Sequence, residues 1–181
     1  MEVVIMLGLL YAAFYIAIAL KWGDIKGWKK YYSTILFFIL GDMLYQWLFT
    51  DFYPMWRFSP YGIDVELGVT NTFIALSIML IKYPAIILVY LHKFPTQLKS
   101  QIIYILLWTL LISINELLTL SAGGIIYYNG WSYAWSVLFA LVMFIILRVH
   151  FLKPLLGIGL SFVFIVFLWI IFDVPNDVVF R

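Results

Sequence analysis

The stretch LLGIGLSFVFIVFLWIIFD, residues 155–173, decides the fold, because it holds no charged side chain before its last residue. About 20 mostly apolar residues are enough for a helix to cross about 30 Å of hydrocarbon. Backbone polar groups in lipid must be paired within the segment itself, which a helix achieves. The stretch also lacks the alternation of a membrane barrel strand. It therefore predicts a transmembrane helix.

Five more apolar stretches lie before it, and together they predict an all-α polytopic transmembrane bundle of six spans. Hydrophobic residues make up 66% of the chain and charged residues 11%, with a mean hydropathy of +1.06. A soluble domain could not bury this much apolar surface. Residues 1–181 are expected to form a single integral membrane domain. The predicted spans are residues 3–20, 32–50, 68–91, 101–123, 132–149 and 155–173.

Basic residues are distributed unevenly among the connections, and this predicts the orientation. Eight Lys and Arg residues lie in the connections after spans 1, 3 and 5, whereas the termini and the other connections hold only Arg57 and Arg181. Because basic connections stay in the cytoplasm, both termini are expected on the non-cytoplasmic side. The eight residues are Lys21, Lys26, Lys29, Lys30, Lys93, Lys99, Arg148 and Lys153.

Three ionisable residues, Asp42, Lys82 and Glu116, fall inside predicted spans. Charges at this depth usually face a bundle interior, a partner or water, so function is best sought there. Asp42 and Glu116 lie about seven or eight residues from the same predicted membrane face, which is ~10–12 Å at 1.5 Å per residue. Their similar depth suggests a shared site. The neighbouring polar candidates are Tyr45, Gln46, Asn71, Thr109, Ser113 and Asn115.

This constellation has two interpretations. A pair of carboxyls in a low-dielectric site can hold a proton or accept a cation, which suggests a proton or cation pathway. The alternative is that Asp42 and Glu116 only hydrogen-bond neighbouring helices. Lys82 precedes Pro84, which favours a kink. Lys82 could pair with Asp42 or extend its stem towards the cytoplasmic surface.

The remaining chemistry is limited by composition. The chain has no cysteine, which removes thiolate metal sites and thiol nucleophiles. Its two histidines lie at span ends rather than as a facing pair, so no haem, other cofactor or resident metal is expected. The basic residues at these ends predict a cytoplasmic rim that attracts anionic headgroups or phosphate, although the rim could equally reflect orientation alone. The rim comprises His92, Lys93, Arg148, His150 and Lys153.

Small residues recur at helix-packing spacing in spans 1, 5 and 6. They allow close approach of helices, either within the chain or against another copy or a partner membrane subunit. The sequence does not distinguish these cases. The lipid bilayer is the expected partner, and nucleic acid is not. The small residues are Gly8, Ala12, Ser132, Ser136, Ala140, Gly157 and Ser161.

Several runs of sequence carry a resemblance that covers most of the chain. They are KWGD (21–24), WKKYY (28–32), FFILGDMLY (37–45), IYILLW (103–108) with Glu116, YYNGW (127–131), LRVH (147–150) and KPLL (153–156). In these runs the chain resembles an uncharacterised family of small multi-pass membrane proteins from endospore-forming Gram-positive bacteria. The resemblance implies the bacterial plasma membrane and no particular activity.

Three hypotheses follow for the function. The leading one is translocation or sensing of a proton, a cation or a small cationic solute through Asp42 and Glu116. The second is a membrane enzyme acting on a lipid headgroup or polyprenyl phosphate, with a carboxyl as general acid or base and Arg148, His150 or Lys153 binding phosphate. The third is a non-catalytic subunit of a membrane complex.

Overall fold

The computed structural model describes residues 2–49, 52–59 and 71–176, which are helical apart from one small sheet. A 3₁₀ turn at Trp28–Lys30 precedes the second helix, and a π-helical segment at Ile78–Lys82 joins the third to the fourth. The helices are α1 (Glu2–Trp22), α2 (Tyr32–Phe49), α3 (Asn71–Ser77), α4 (Tyr83–His92), α5 (Leu98–Ser121), α6 (Tyr133–Leu152) and α7 (Pro154–Ile171). The strands are β1 (Trp56–Phe58) and β2 (Ile125–Tyr127).

Five helices within the described ranges are long and apolar enough to cross a membrane. They are α2, the continuous helix Ile74–His92, α5, α6 and α7. Large apolar side chains cover their outer surfaces, as at Leu155 (86% exposed) and Ile170 (71% exposed), which suits hydrocarbon rather than water. The apolar part of α1 that can be compared with them, Leu10–Trp22, is too short to count as a sixth such helix. The sixth span therefore stays a prediction.

The helices follow the predicted spans closely. Every helix end within the described ranges lies within three residues of its predicted boundary, except where residues 50 and 68–70 fall outside them. Apolar length and the turn residues between spans were therefore sufficient to locate the helices.

The third span is not a regular α-helix, and Pro84 explains why. Proline lacks the N–H that would close the next turn, so the ladder is interrupted ahead of it. The chain forms a π-helical segment there, in which the N–H of Tyr83 bonds the carbonyl of Ile78. The sequence predicts a kink at this position, and the π segment is the form that the interruption takes.

Helix α4 forms the centre of the half of the bundle that ends in the connections 21–31, 92–99 and 148–153. Its residues 85–91 are all buried, with Ile87 and Tyr90 fully enclosed. The hydroxyl of Tyr90 donates to the carbonyl of Phe144 on α6 at 2.8 Å, and its ring stacks on Tyr104 of α5. Contacts with α1 and α2 complete the enclosure.

The connections gather at two ends. At the sheet end, β1 pairs antiparallel with β2, and the Tyr53 hydroxyl donates to the carbonyl of Phe172 just after α7. At the basic end, which comprises residues 21–31, 92–99 and 148–153, the Tyr31 hydroxyl lies 3.5 Å from His92 Nδ1. The structure thus brings together the connections that the charge count assigns to one side. Which end faces the cytoplasm stays a prediction.

Helices α6 and α7 pack closely through Gly157. A Cβ atom at this position would lie 2.5 Å from both Cα and Cβ of His150, so only glycine fits without a shift of the helices. Gly159 lies two residues further along α7, and a Cβ atom added there has nothing within 4 Å. The small residue at position 157 therefore allows two helices of the same chain to pack closely.

This contrast predicts opposite effects for two identical substitutions. Gly157→Ala is expected to lower the free energy of unfolding by about 1–3 kcal/mol, because it overpacks a helix contact. Gly159→Ala should leave it unchanged or raise it by up to about 1 kcal/mol through helix propensity. Thermal unfolding of the two variants in detergent measures the difference. Equal melting temperatures would contradict the close α6–α7 contact.

Candidate functional site

Asp42 lies on α2 and is held by side chains from two helices. The Tyr83 hydroxyl at the start of α4 donates to Asp42 Oδ2 at 2.7 Å. Gln46, one turn further along α2, hydrogen-bonds the same carboxyl, as the i+4 spacing predicts. Lys82 is close enough to interact with it electrostatically. The carboxyl is therefore surrounded by donors and one cation.

Lys82 turns into the bundle instead of extending to a membrane surface. Its Nζ donates to Asn115 Oδ1 at 3.3 Å and lies 5.8 Å and 5.7 Å from the ring centroids of Tyr11 and Tyr15 on α1. Tyr11 also donates to Asn115 Oδ1 at 3.4 Å. Lys82 therefore points inward, but its hydrogen-bond partner is Asn115, and pairing with Asp42 stays a prediction. Residues of α1, α2, α4 and α5 together with the π segment form this cluster, named here the Asp42–Lys82 cluster.

Glu116 has a separate set of partners near the sheet end. Its Oε1 accepts a 2.7 Å hydrogen bond from the Tyr127 hydroxyl on β2, and Tyr127 in turn accepts from Ser136 Oγ at 3.4 Å. Trp131 Nε1 donates to the same Ser136 Oγ at 2.8 Å. Burial raises the pKa of Tyr127 above its ordinary value, and the hydrogen bond to Glu116 acts in the same direction. Tyr127 therefore stays protonated as a donor.

The two carboxyls therefore have different sets of partners. No hydrogen bond joins Asp42 to Glu116 within the described part of the chain. Asn115 and Glu116 are consecutive on α5, so they point about 100° apart around the helix. Asn115 faces Lys82, while Glu116 faces β2 and α6. The sequence correctly places Asn115 beside the polar stripe but does not reveal which of the two meets Lys82.

The two hydroxyls of the α5 stripe differ, because only Thr109 bonds its own helix. Thr109 Oγ1 donates to the carbonyl of Ile105 at 2.9 Å. Ser113 is buried, and its Oγ has no hydrogen-bond partner within the described ranges, while its carbonyl accepts from Tyr133 at 3.0 Å. Back-bonding of this kind is common for hydroxyls in apolar helices. The side chain of Asn71 lies outside the described part of the chain.

Tyr45 holds the sheet end together. Its hydroxyl donates to the carbonyl of Trp56 at 2.8 Å and accepts from the N–H groups of Met55 and Trp56 at 3.1 Å and 3.0 Å. The rings of Tyr45 and Trp56 stack with centroids 4.0 Å apart. All three of these hydrogen bonds go to the connection after α2. Tyr45 is therefore an anchor here rather than a pathway residue.

This anchoring role predicts a local defect on removal of one oxygen. Tyr45→Phe should cost about 1–3 kcal/mol, because it leaves two N–H groups and a carbonyl without their partner. Limited proteolysis should show faster cleavage around residues 52–59, alongside a lower melting temperature. Tyr32→Phe, at an exposed position, is the matched control and should behave as wild type. Unchanged proteolysis of Tyr45→Phe would contradict the anchor.

The residues of the predicted cytoplasmic rim differ in exposure. Lys93 and Lys153 are exposed, and the Arg148 guanidinium lies 4.2 Å from the ring centroid of Phe94. His150 does not belong to the rim, because it is only 4% exposed. It bonds Thr34 Oγ1 at 3.1 Å through Nδ1 and stacks on Phe37, so the prediction that it meets headgroups is corrected.

His92 takes part in a cluster that the sequence did not suggest. Asp24 accepts from the backbone N–H of Gly27 at 2.9 Å and from the Tyr31 hydroxyl at 3.3 Å. His92 Nδ1 lies 4.0 Å from the Asp24 carboxylate. Burial raises the pKa of Tyr31 above its ordinary value of 10.0, and the Asp24 carboxylate raises it further. The available clue to this cluster in the sequence was Asp24, three residues before Gly27 in the connection after α1.

The raised pKa of Tyr31 predicts a pH dependence. The folded state binds the phenolic proton more tightly than the unfolded state, so this stabilisation is present below pH 10 and is lost as pH rises through the folded pKa. Tyr31→Phe should therefore be less stable than wild type near neutral pH, and the gap should narrow above pH 10. Melting temperatures across that range test this. A constant gap would contradict it.

No group of three or more His, Asp and Glu side chains suited to a metal ion occurs in the part of the chain that the structure describes. Comparison of the chain with family models, with curated proteins and with solved structures gave no match. The resemblance to a family of small membrane proteins from endospore-forming bacteria therefore stays a prediction. The findings establish a helical protein with five helices suited to crossing a membrane.

Proposed function

We propose that this protein moves or senses a proton across the bacterial plasma membrane through the Asp42–Lys82 cluster. The observation that supports it is the position of an acid and an amine, within electrostatic reach of each other, in helices suited to crossing a membrane. Ionisable side chains at such depth are costly and usually serve transport or proton relay.

A proton fits this site better than a metal cation or an organic amine. Lys82 already supplies a positive charge, and it takes up the Asn115 amide oxygen and the ring faces of Tyr11 and Tyr15. An incoming cation would compete for these groups and be repelled by the ammonium. A proton needs no vacant space. The proposal therefore narrows the ligand from any cation to the proton.

The charge of Asp42 acts on Lys82. A proton bound at Asp42 would remove a negative charge that interacts electrostatically with the Lys82 ammonium. The Tyr83 hydroxyl donates to the carboxylate, and a protonated Asp42 would still accept from it while gaining an O–H donor of its own. Protonation at Asp42 is thus linked to the side chain at the start of α4.

The π segment gives this change a way to reach the backbone. Lys82 is its last residue, and Tyr83 follows directly. π-helical segments are rare and occur frequently at functional sites. In this proposal a change of charge at the pair shifts the π segment, either opening a route for the proton or signalling its arrival.

Glu116 provides the second part of the proposed route. It is adjacent in sequence to Asn115, and it accepts from Tyr127, which in turn accepts from Ser136 towards the sheet end. Hydroxyl groups both donate and accept, which suits a proton chain. In this proposal Glu116 exchanges protons with the sheet-end side, and Asp42 with Lys82 controls passage deeper in the bundle.

Proton flux into liposomes tests the proposal. Purified protein is reconstituted with a pH-sensitive dye inside, and a potassium gradient with valinomycin drives proton movement. Wild type should acidify or alkalinise the lumen faster than empty liposomes. Asp42→Asn and Lys82→Gln should each abolish the difference, because either one removes one member of the pair. Glu116→Gln should slow it.

Asp173→Asn is the matched control. Asp173 is exposed after α7 and has a positive φ of 47°, a conformation that asparagine also tolerates. Its flux should equal that of wild type. Absence of wild-type flux, together with melting temperatures that change with pH in the same way in wild type and Asp42→Asn, would argue against both transport and sensing. Wild-type flux in Asp42→Asn would show that the route lies elsewhere.

A further inference from the structure

At the basic end, one aromatic ring contacts two cations. The Lys30 Nζ lies 5.8 Å from the ring centroid of Phe151, and the Arg148 guanidinium carbon lies 5.7 Å from the same centroid. Each cation also lies against a second ring, Lys30 at 5.5 Å from Tyr31 and Arg148 at 4.2 Å from Phe94. Both positive charges therefore lie against the Phe151 ring.

This arrangement is built from three separate connections. Lys30 ends the 3₁₀ turn before α2, Phe94 follows α4, and Arg148 and Phe151 belong to the last turns of α6. The stack of Tyr31 on Phe151, with centroids 5.6 Å apart, fixes the first connection against the third. The cations thus stand where apolar helices meet their polar connections, which is the depth of lipid headgroups.

The site has an excess of positive charge. Asp24 is the sole acidic residue in the stretches 21–31, 92–99 and 148–153 of the sequence. It is occupied by Gly27, Tyr31 and His92. No carboxylate contacts Lys30 or Arg148 in the described ranges. Ring quadrupoles attract cations by about 0.5–2 kcal/mol, which does not neutralise two full charges.

We propose that Lys30 and Arg148 bind the phosphate group of an anionic phospholipid. A guanidinium presents paired donors that match two phosphate oxygens, and an ammonium adds a point charge beside them. Free phosphate offers the same chemistry, but the position at headgroup depth beside exposed apolar helices favours the lipid. This binding site is separate from the Asp42–Lys82 cluster and does not depend on proton movement.

Native mass spectrometry of the purified full-length protein in detergent tests the proposal. Phosphatidylglycerol is titrated against wild type, Lys30→Gln, Arg148→Gln and Lys99→Gln, and inorganic phosphate is titrated in a parallel arm. Each change in the site is expected to weaken phosphatidylglycerol binding about fivefold, equivalent to about 1 kcal/mol per basic residue. Lys99→Gln removes an exposed charge from the same end and should weaken binding less than about twofold.

Several outcomes would overturn the proposal. Equal losses in all three variants would show general surface charge and no defined site. Displacement of the lipid by millimolar inorganic phosphate, with saturable phosphate binding, would assign the site to the free anion. Should Arg148→Gln fail to fold, Lys30→Gln still decides the question, because Lys30 is exposed and its replacement leaves the Phe151 contacts of α6 in place. Wild-type lipid binding in Lys30→Gln would then reject the site.

Discussion

Hydrocarbon offers polar groups no hydrogen-bond partner, so each polar group within these helices must find one in the chain itself. Tyrosine meets most of this need. Its hydroxyl stands at the end of an apolar ring, which lets it cross from one element to another while leaving the packing apolar. Asp42 and Glu116 each depend on one such hydroxyl. Tyrosines that bond another element or connection include Tyr31, Tyr45, Tyr53, Tyr83, Tyr90, Tyr104, Tyr127 and Tyr133.

These bonds explain why the two carboxyls behave as separate sites. The α4 tyrosine that serves Asp42 follows a π segment, whereas the β2 tyrosine that serves Glu116 belongs to a sheet outside the helices. One carboxyl is therefore linked to a helix that begins after a π segment, and the other to a connection that is paired in a sheet. An asymmetry of this kind suits a gate deep in the bundle with an exchange site near its mouth.

The sequence was enough to locate the helices and to group their connections, because length, hydropathy and Lys and Arg distribution are summed over many residues. It was not enough to pair individual side chains. Asn115 and Glu116 are consecutive on α5 and so point in different directions. The spacing of apolar residues cannot show which of the two faces Lys82, because every face of α5 is apolar. His150 shows the same limit, since a histidine near a span end is buried against Thr34 by the close approach at Gly157.

The antiparallel pairing of β1 with β2 also orders events during synthesis. Trp56 pairs with Tyr127, so the first strand leaves the ribosome about 70 residues before its partner exists. Helices α3, α4 and α5 must be made, and α5 must have passed through the membrane, before the sheet can close. Until then the connection after α2 is held by Tyr45 and by the backbone N–H groups of Phe52 and Tyr53, which bond the carbonyl of Phe49. Closure of the sheet is therefore a late step that reports correct insertion of the second half of the chain against the first.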